Sequence, residues 1–180
     1  MNCAKRGESR EKRGNQMEPN FREILPLLLG HHVRFIVIGG GAAIAHGLAR
    51  ATYDVDVVYA RDAENIRNLA AALQLHQPYL RGAPPGLPFR WDERTIKAGL
   101  NFTLTTTLGD LDLLGEVSGG GSYEQLFPFS EEIEVFGGRS RFVTLEKLIQ
   151  LKRAAGRTKD LEMLAQLQAL LEERRKLESS

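Results

Sequence analysis

Val33 to Ile38 is an apolar, mostly β-branched and aromatic run broken only by Arg34, and it empties into three consecutive glycines, Gly39 to Gly41. Such a run reads as a buried strand entering a tight turn. Ala42 to Gly47 then suits a short helix, and Tyr53 to Tyr59 a second strand that carries Asp54 and Asp56. Alternate residues of a strand share a face, so the two carboxylates stand side by side while Val55, Val57 and Val58 serve the buried side or the strand's continuation. Neighbouring anions raise at least one pKa unless a cation lies between them, and paired hard oxygens suit Mg²⁺.

If the extended conformation begins earlier, Arg50 and Thr52 fall in phase with Asp54 and Asp56 and line the same groove. The amides of the glycine turn supply anion-binding donors. Together these features describe a site for a metal-bound polyphosphate. Phosphoryl transfer with two metals needs a further carboxylate from a neighbouring strand. Leu111-Asp112-Leu113 offers one, and an aspartate between leucines is costly to bury unless it ligates or is hydrogen-bonded. Asp110 shares its parity and reads as a turn residue of a hairpin or as a partner of Asp112. The dinucleotide fingerprint G-x-G-x-x-G fails in both registers, since Ile44 stands at the sixth position from Gly39 and Ala42 at the third from Gly40. A P-loop is absent too, because Gly-Lys never occurs.

The rest of the chain supplies a frame around this segment. Asn20 is a candidate N-cap for a helix bearing Phe21, Ile24, Leu25 and Leu28, which Pro26 shortens or kinks and Gly30 ends. Asp62 caps a helix with Ile66, Leu69, Ala70 and Leu73 on one stripe. Pro78 to Pro88 reads as a loop and Asp92 to Gly99 as a helical turn or two. Asn101 to Thr107 with Asp110 to Val117, and Glu132 to Phe136 with Ser140 to Val143, read as hairpins, separated by a short helix near Tyr123 to Leu126. Thr144 caps a helix through Ala155, and Thr158 a longer one carrying Leu161, Leu164, Leu167 and Leu171.

With 180 residues, 42% of them apolar and 26% charged, the chain suits one buried core. Residues 1–19 hold no large apolar side chain between Met1 and Met17 and read as a disordered tail, with Met17 a candidate start; 20–143 form the main domain and 144–178 helices packed on it. Net charge is +1, so no global field draws the protein to nucleic acid or membrane. No apolar stretch reaches the roughly 20 residues of a spanning helix, and the single Cys3 excludes an internal disulfide. A cytoplasmic protein is expected.

The order hydrophobic strand, Gly-Gly, short helix, Asp-x-Asp and later lone Asp resembles the nucleotidyltransferase superfamily, with its polymerase-β-like catalytic fold. More closely, Ile38-Gly39-Gly40-Gly41-Ala42, His46-Gly47, Arg50-x-Thr52-x-Asp54-x-Asp56, and the stretch from Leu148 through Lys152, Arg157 and Asp160 resemble small prokaryotic proteins related to AbiEii-type toxins. The resemblance implies an α/β (α+β) fold, a mixed sheet flanked by helices with a C-terminal helical pair. It implies that Asp54, Asp56 and Asp112 bind Mg²⁺ and carry catalysis, and that Gly39 and Gly40 hold the triphosphate, with Lys152 and Arg157 reaching phosphate beside Arg50 and Thr52. The superfamily often has Ser after the first glycine; Gly40 stands there, leaving backbone donors alone.

The implied reaction moves a nucleoside monophosphate from a nucleoside triphosphate such as ATP to a hydroxyl of an RNA, tRNA above all, or of a protein. Two alternatives stand beside it: a toxin–antitoxin component acting through a cognate toxin or antitoxin partner, and a nucleotide sensor without turnover. His31 and His32 read as structural or surface residues, His46 as a helix-terminal packing residue, and Asp160 as a helix cap or the partner of a nearby cation.

Overall fold

The computed structural model describes residues 19–179, so the tail expected over 1–19 lies, but for Pro19, outside the described residues. The first helix, α1 (Pro19–Gly30), buries Phe21, Ile24, Leu25 and Leu28 as its spacing predicts. Asn20 does not cap it. It lies in the first turn, and its amide donates to the Tyr53 carbonyl at 3.0 Å. Pro26 sits inside an uninterrupted helix.

β1 (Phe35–Val37) follows, and α2 (Gly39–Ala45) begins on the glycines themselves, three residues earlier than the sequence suggests. β2 (Val55–Tyr59) leads to α3 (Ala63–Leu73), whose N-cap Asp62 accepts from Asn65 N. The expected loop over 78–88 contains a two-residue strand, β3 (Tyr79–Leu80), ahead of α4 (Glu93–Ala98). β4 (Asn101–Thr106) and β5 (Gly109–Leu114) form the first expected hairpin. A small ladder of β6 (Glu116–Val117) and β7 (Gly121–Ser122) then leads to α5 (Tyr123–Leu126). The second hairpin is β8 (Ser130–Val135) with β9 (Gly138–Val143). Two helices close the chain, α6 (Leu145–Ala155) and α7 (Leu161–Glu178), joined through a 3₁₀ turn at 158–160.

One mixed sheet orders its strands β3-β4-β5-β2-β1-β9-β8. β2 runs antiparallel to β1 but parallel to β5, and β1 runs parallel to β9. Its buried face carries Val57, Leu104, Leu111 and Leu113 into the core, and α1 reaches α2 where Phe21 lies against Gly41. The face opposite Leu111 and Leu113 carries the aspartates of β5, which is how a strand with one wet face must divide Gly-Asp-Leu-Asp-Leu-Leu.

The last helix keeps its expected stripe except at its first position. Leu161 is exposed, while Met163 and Leu167 are buried and Leu164 and Leu171 only partly so. Among the described residues, no helix is long and apolar enough to cross a membrane.

Candidate active site

Parallel pairing of β2 with β5 sets Asp56 directly opposite Asp112. Antiparallel pairing of β5 with β4 sets Asp112 opposite Thr103, and Arg81 N donates to Thr103 O at 2.9 Å, one residue beyond β3. Arg81, Thr103, Asp112 and Asp56 therefore form a row across three strands and the residue that follows β3. Cross-strand neighbours on one face lie close enough for side chains to interact, and here they do. Arg81 Nη2 donates to Asp112 Oδ1 at 2.8 Å, and its Nε lies 3.2 Å from Asp110 Oδ2. Its Nη1 stands 4.0 Å from Asp54 Oδ2.

The row ends on the glycines. Gly39 has φ +62°, and a Cβ there would lie 2.3 Å from Asp56 Oδ2, so only glycine admits both the backbone and the carboxylate. At Gly40 a Cβ would lie 2.4 Å from Thr52 Oγ1. The space in which a serine at position 40 would start is filled by the Thr52 hydroxyl, which gives this chain a physical reason for Gly40.

The opposite wall comes from the C-terminal helices. Lys152 of α6 pairs with Asp160, at the start of α7, at 2.8 Å in a largely buried contact. Arg157, on the turn between them, lines the same cleft, as do Gly39, Asp56 and Asp112. The cleft has a volume of about 320 Å³, and Leu148, Leu151 and Val117 make its apolar side while Asn101 and Thr103 make a polar one.

Burial pushes the Asp56 carboxyl up to about 7, reinforced by Asp112 and Asp54 and opposed by Lys152 and Arg81. Burial also raises Asp112, against the pull of Arg81. Two partly desolvated hard-oxygen donors abreast on adjacent strands, their pKa values raised despite Arg81 and Lys152, fit a divalent cation. Among the described residues, however, no three His, Cys, Asp or Glu side chains are gathered as a ready cage. Asp54 is half-exposed, and the guanidinium of Arg81 reaches both it and Asp112.

Of the residues singled out in the sequence, the structure brings Gly39, Asp56, Asp112, Lys152 and Arg157 into the cleft, while Asp54 is not among its lining residues and stands 4.0 Å from Arg81 Nη1. Gly40 and Thr52 pack against each other beside it, and Arg50 is exposed on the segment ahead of β2, which is not extended strand. Asp110 belongs to β5 and holds Arg81 while accepting from the Thr105 hydroxyl at 2.9 Å, so it is more than a turn residue. His46 is buried with Nε2 2.7 Å from Val143 O, tying α2 to β9; burial lowers its pKa. Asp160 pairs with Lys152 as one of its two expected roles has it; the side chain of Lys159 lies outside the described residues. Sequence reasoning missed Arg81, Asn101 and Thr103. Polar alternation along Asn101-Phe102-Thr103-Leu104-Thr105 pointed to a wet face, but nothing local marked Arg81.

No protein-family model matches the chain, and no curated protein matches it by sequence. Among solved structures, a provisionally assigned nucleotidyltransferase from Thermotoga maritima superposes with a TM-score of 0.53 at 14% identity, covering 83% of this chain and 93% of its own. The lincosamide antibiotic adenylyltransferase LnuA, with lincomycin bound, gives 0.56 at 14% identity, covering 85% of this chain and 97% of its own. The fold is that of nucleotidyltransferase structures. At this identity the likeness is one of architecture, which includes the mixed sheet and the C-terminal helix pair.

Proposed function

We propose that the chain is a Mg²⁺-dependent nucleotidyltransferase that moves a nucleoside monophosphate from a nucleoside triphosphate to a hydroxyl. What supports this reading above all is the Asp56–Asp112 pair, set abreast by the β2–β5 register and facing Lys152 and Arg157 across one cleft. Asp56 and Asp112, with Asp54 drawn in, would hold the metal, which when bound neutralises charge on the α-phosphate and pyrophosphate oxygens. Gly39 leaves main chain bare beside Asp56 for a phosphate to approach, and Lys152 and Arg157 offer it positive charge. The hydroxyl oxygen bonds to the α-phosphorus as pyrophosphate departs with the electron pair of the broken P–O bond. The hydroxyl proton passes to a carboxylate oxygen of Asp112.

Acceptors follow from the resemblance and the comparisons: the end of an RNA such as tRNA, a protein side chain, or a small hydroxylated compound like the lincomycin of LnuA. A cognate toxin or antitoxin partner enters through the sequence resemblance to AbiEii-related proteins. A nucleotide sensor without turnover is the second reading, favoured by Arg81, which already neutralises Asp112.

The test incubates purified protein with each α-labelled nucleoside triphosphate, Mg²⁺ and in turn total tRNA, cell lysate and a lincosamide, beside an Asp56→Ala, Asp112→Ala double variant. Label transfer lost in the variant supports the enzyme. Transfer that persists in the variant overturns the site, and nucleotide-dependent stabilisation without transfer establishes the sensor.

A further inference from the structure

The carboxylate cluster contains its own cation. Arg81 is three-quarters buried, and its Nη2 also donates to Leu104 O at 3.1 Å. One guanidinium thus reaches Asp54, Asp110 and Asp112, with Asp112 the closest partner at 2.8 Å. Arginine keeps its charge at any working pH and cannot itself ligate a metal, so on these oxygens it is a competitor. Arg81 follows the edge strand β3, its main chain gives one hydrogen bond to Thr103, and Gly82 with Pro84-Pro85-Gly86 continues as turn and irregular chain.

We propose that Arg81 is a resident counter-ion which holds Asp112 and restrains Asp54 in the metal-free protein and is displaced when a divalent cation binds. This rests on the metal-site reading above. Exchanging one positive charge for two keeps the buried carboxylates compensated throughout, so the site is never left as bare anions in a poorly solvated cleft. It also makes cation affinity lower than the carboxylates alone would give, since the arginine contacts must be given up first.

Mn²⁺ titrated into the intact, nucleotide-free chain and followed by electron paramagnetic resonance tests this, with wild type, Arg81→Gln and Arg81→Lys compared. Loss of a partly buried charge-assisted contact corresponds to roughly a tenfold change, so Arg81→Gln is expected to bind Mn²⁺ about tenfold more tightly. Arg81→Lys, charged but without the fork, should fall between. Thermal melts give a second readout: metal-free Arg81→Gln melts below wild type, and Mn²⁺ raises its midpoint by more than it raises that of wild type. Equal or weaker Mn²⁺ binding by both variants overturns the counter-ion role while leaving the metal site intact. Absence of Mn²⁺ binding in all three proteins overturns the metal site itself and the counter-ion with it.

Discussion

Gly39 is the residue at which backbone and chemistry meet, because its positive φ and its contact with Asp56 Oδ2 are separate reasons for having no side chain. Gly39→Ala is expected to cost about 1–3 kcal/mol of stability through the unfavourable backbone alone, read by urea denaturation, and to displace Asp56 as well. At Gly40 the constraint is a single neighbour. Gly40→Ala should therefore destabilise more in wild type than in a Thr52→Ala background, a double-mutant cycle expected to show at least ~0.5 kcal/mol of coupling. Asp56 makes a third prediction, concerning pH. Its carboxyl rises from an ordinary 3.8 to about 7, so the folded protein holds the proton more tightly than the unfolded chain does. That contribution is present in full below the ordinary value and is lost as pH climbs through about 7. Metal-free protein should lose stability across this window, and Asp56→Asn should flatten the slope; an unchanged profile in the variant would show that another group is responsible.

At the scale of elements, legibility followed periodicity. β5 could be read because Asp110, Leu111, Asp112 and Leu113 alternate with the period of a strand, and that alternation alone separates the carboxylates from the core. β3 could not, since two residues show no period and its hold on the sheet comes from pairing Tyr79 with Thr105 and Leu80 with Leu104. Arg81 was lost with it: the interaction that defines it is tertiary, across 31 residues to Asp112. α7 was read as a helix with most of its stripe, Leu164, Leu167 and Leu171, but its leucines recur around much of the helix, and packing on α6 rather than spacing chose Met163 over Leu161. The start of α7 is stapled to α6 by Lys152 and Asp160. Replacing Lys152 by Met strands a buried carboxylate and should lower stability by about 1–3 kcal/mol, with Asp160→Asn in the same background recovering part of it, as chemical denaturation would show.

For the molecule as a whole, a net charge of +1 conceals a segregated arrangement, with carboxylates on the β2–β5 row and Lys152 and Arg157 across the cleft from them. The fold expected from the glycine turn, the paired aspartates and the C-terminal helices is the one seen in nucleotidyltransferase structures. Between Met1 and Met17 the sequence carries no large apolar side chain, so a chain begun at Met17 is expected to melt at the same midpoint as the full sequence; a lower midpoint would assign those residues a structural role.

The β2–β5 register also governs when the site comes into being. Asp110 and Asp112 lie on a hairpin whose contacts with β4 are local, whereas Asp56 meets them only through the parallel pairing of strands far apart in the chain. Such a pairing must bear its loop-closure entropy before its contacts reward it. A metal ion held by Asp56 and Asp112, as proposed, would bind only once β2 and β5 have paired, so metal titrated during refolding is expected to report that pairing rather than closure of the hairpins.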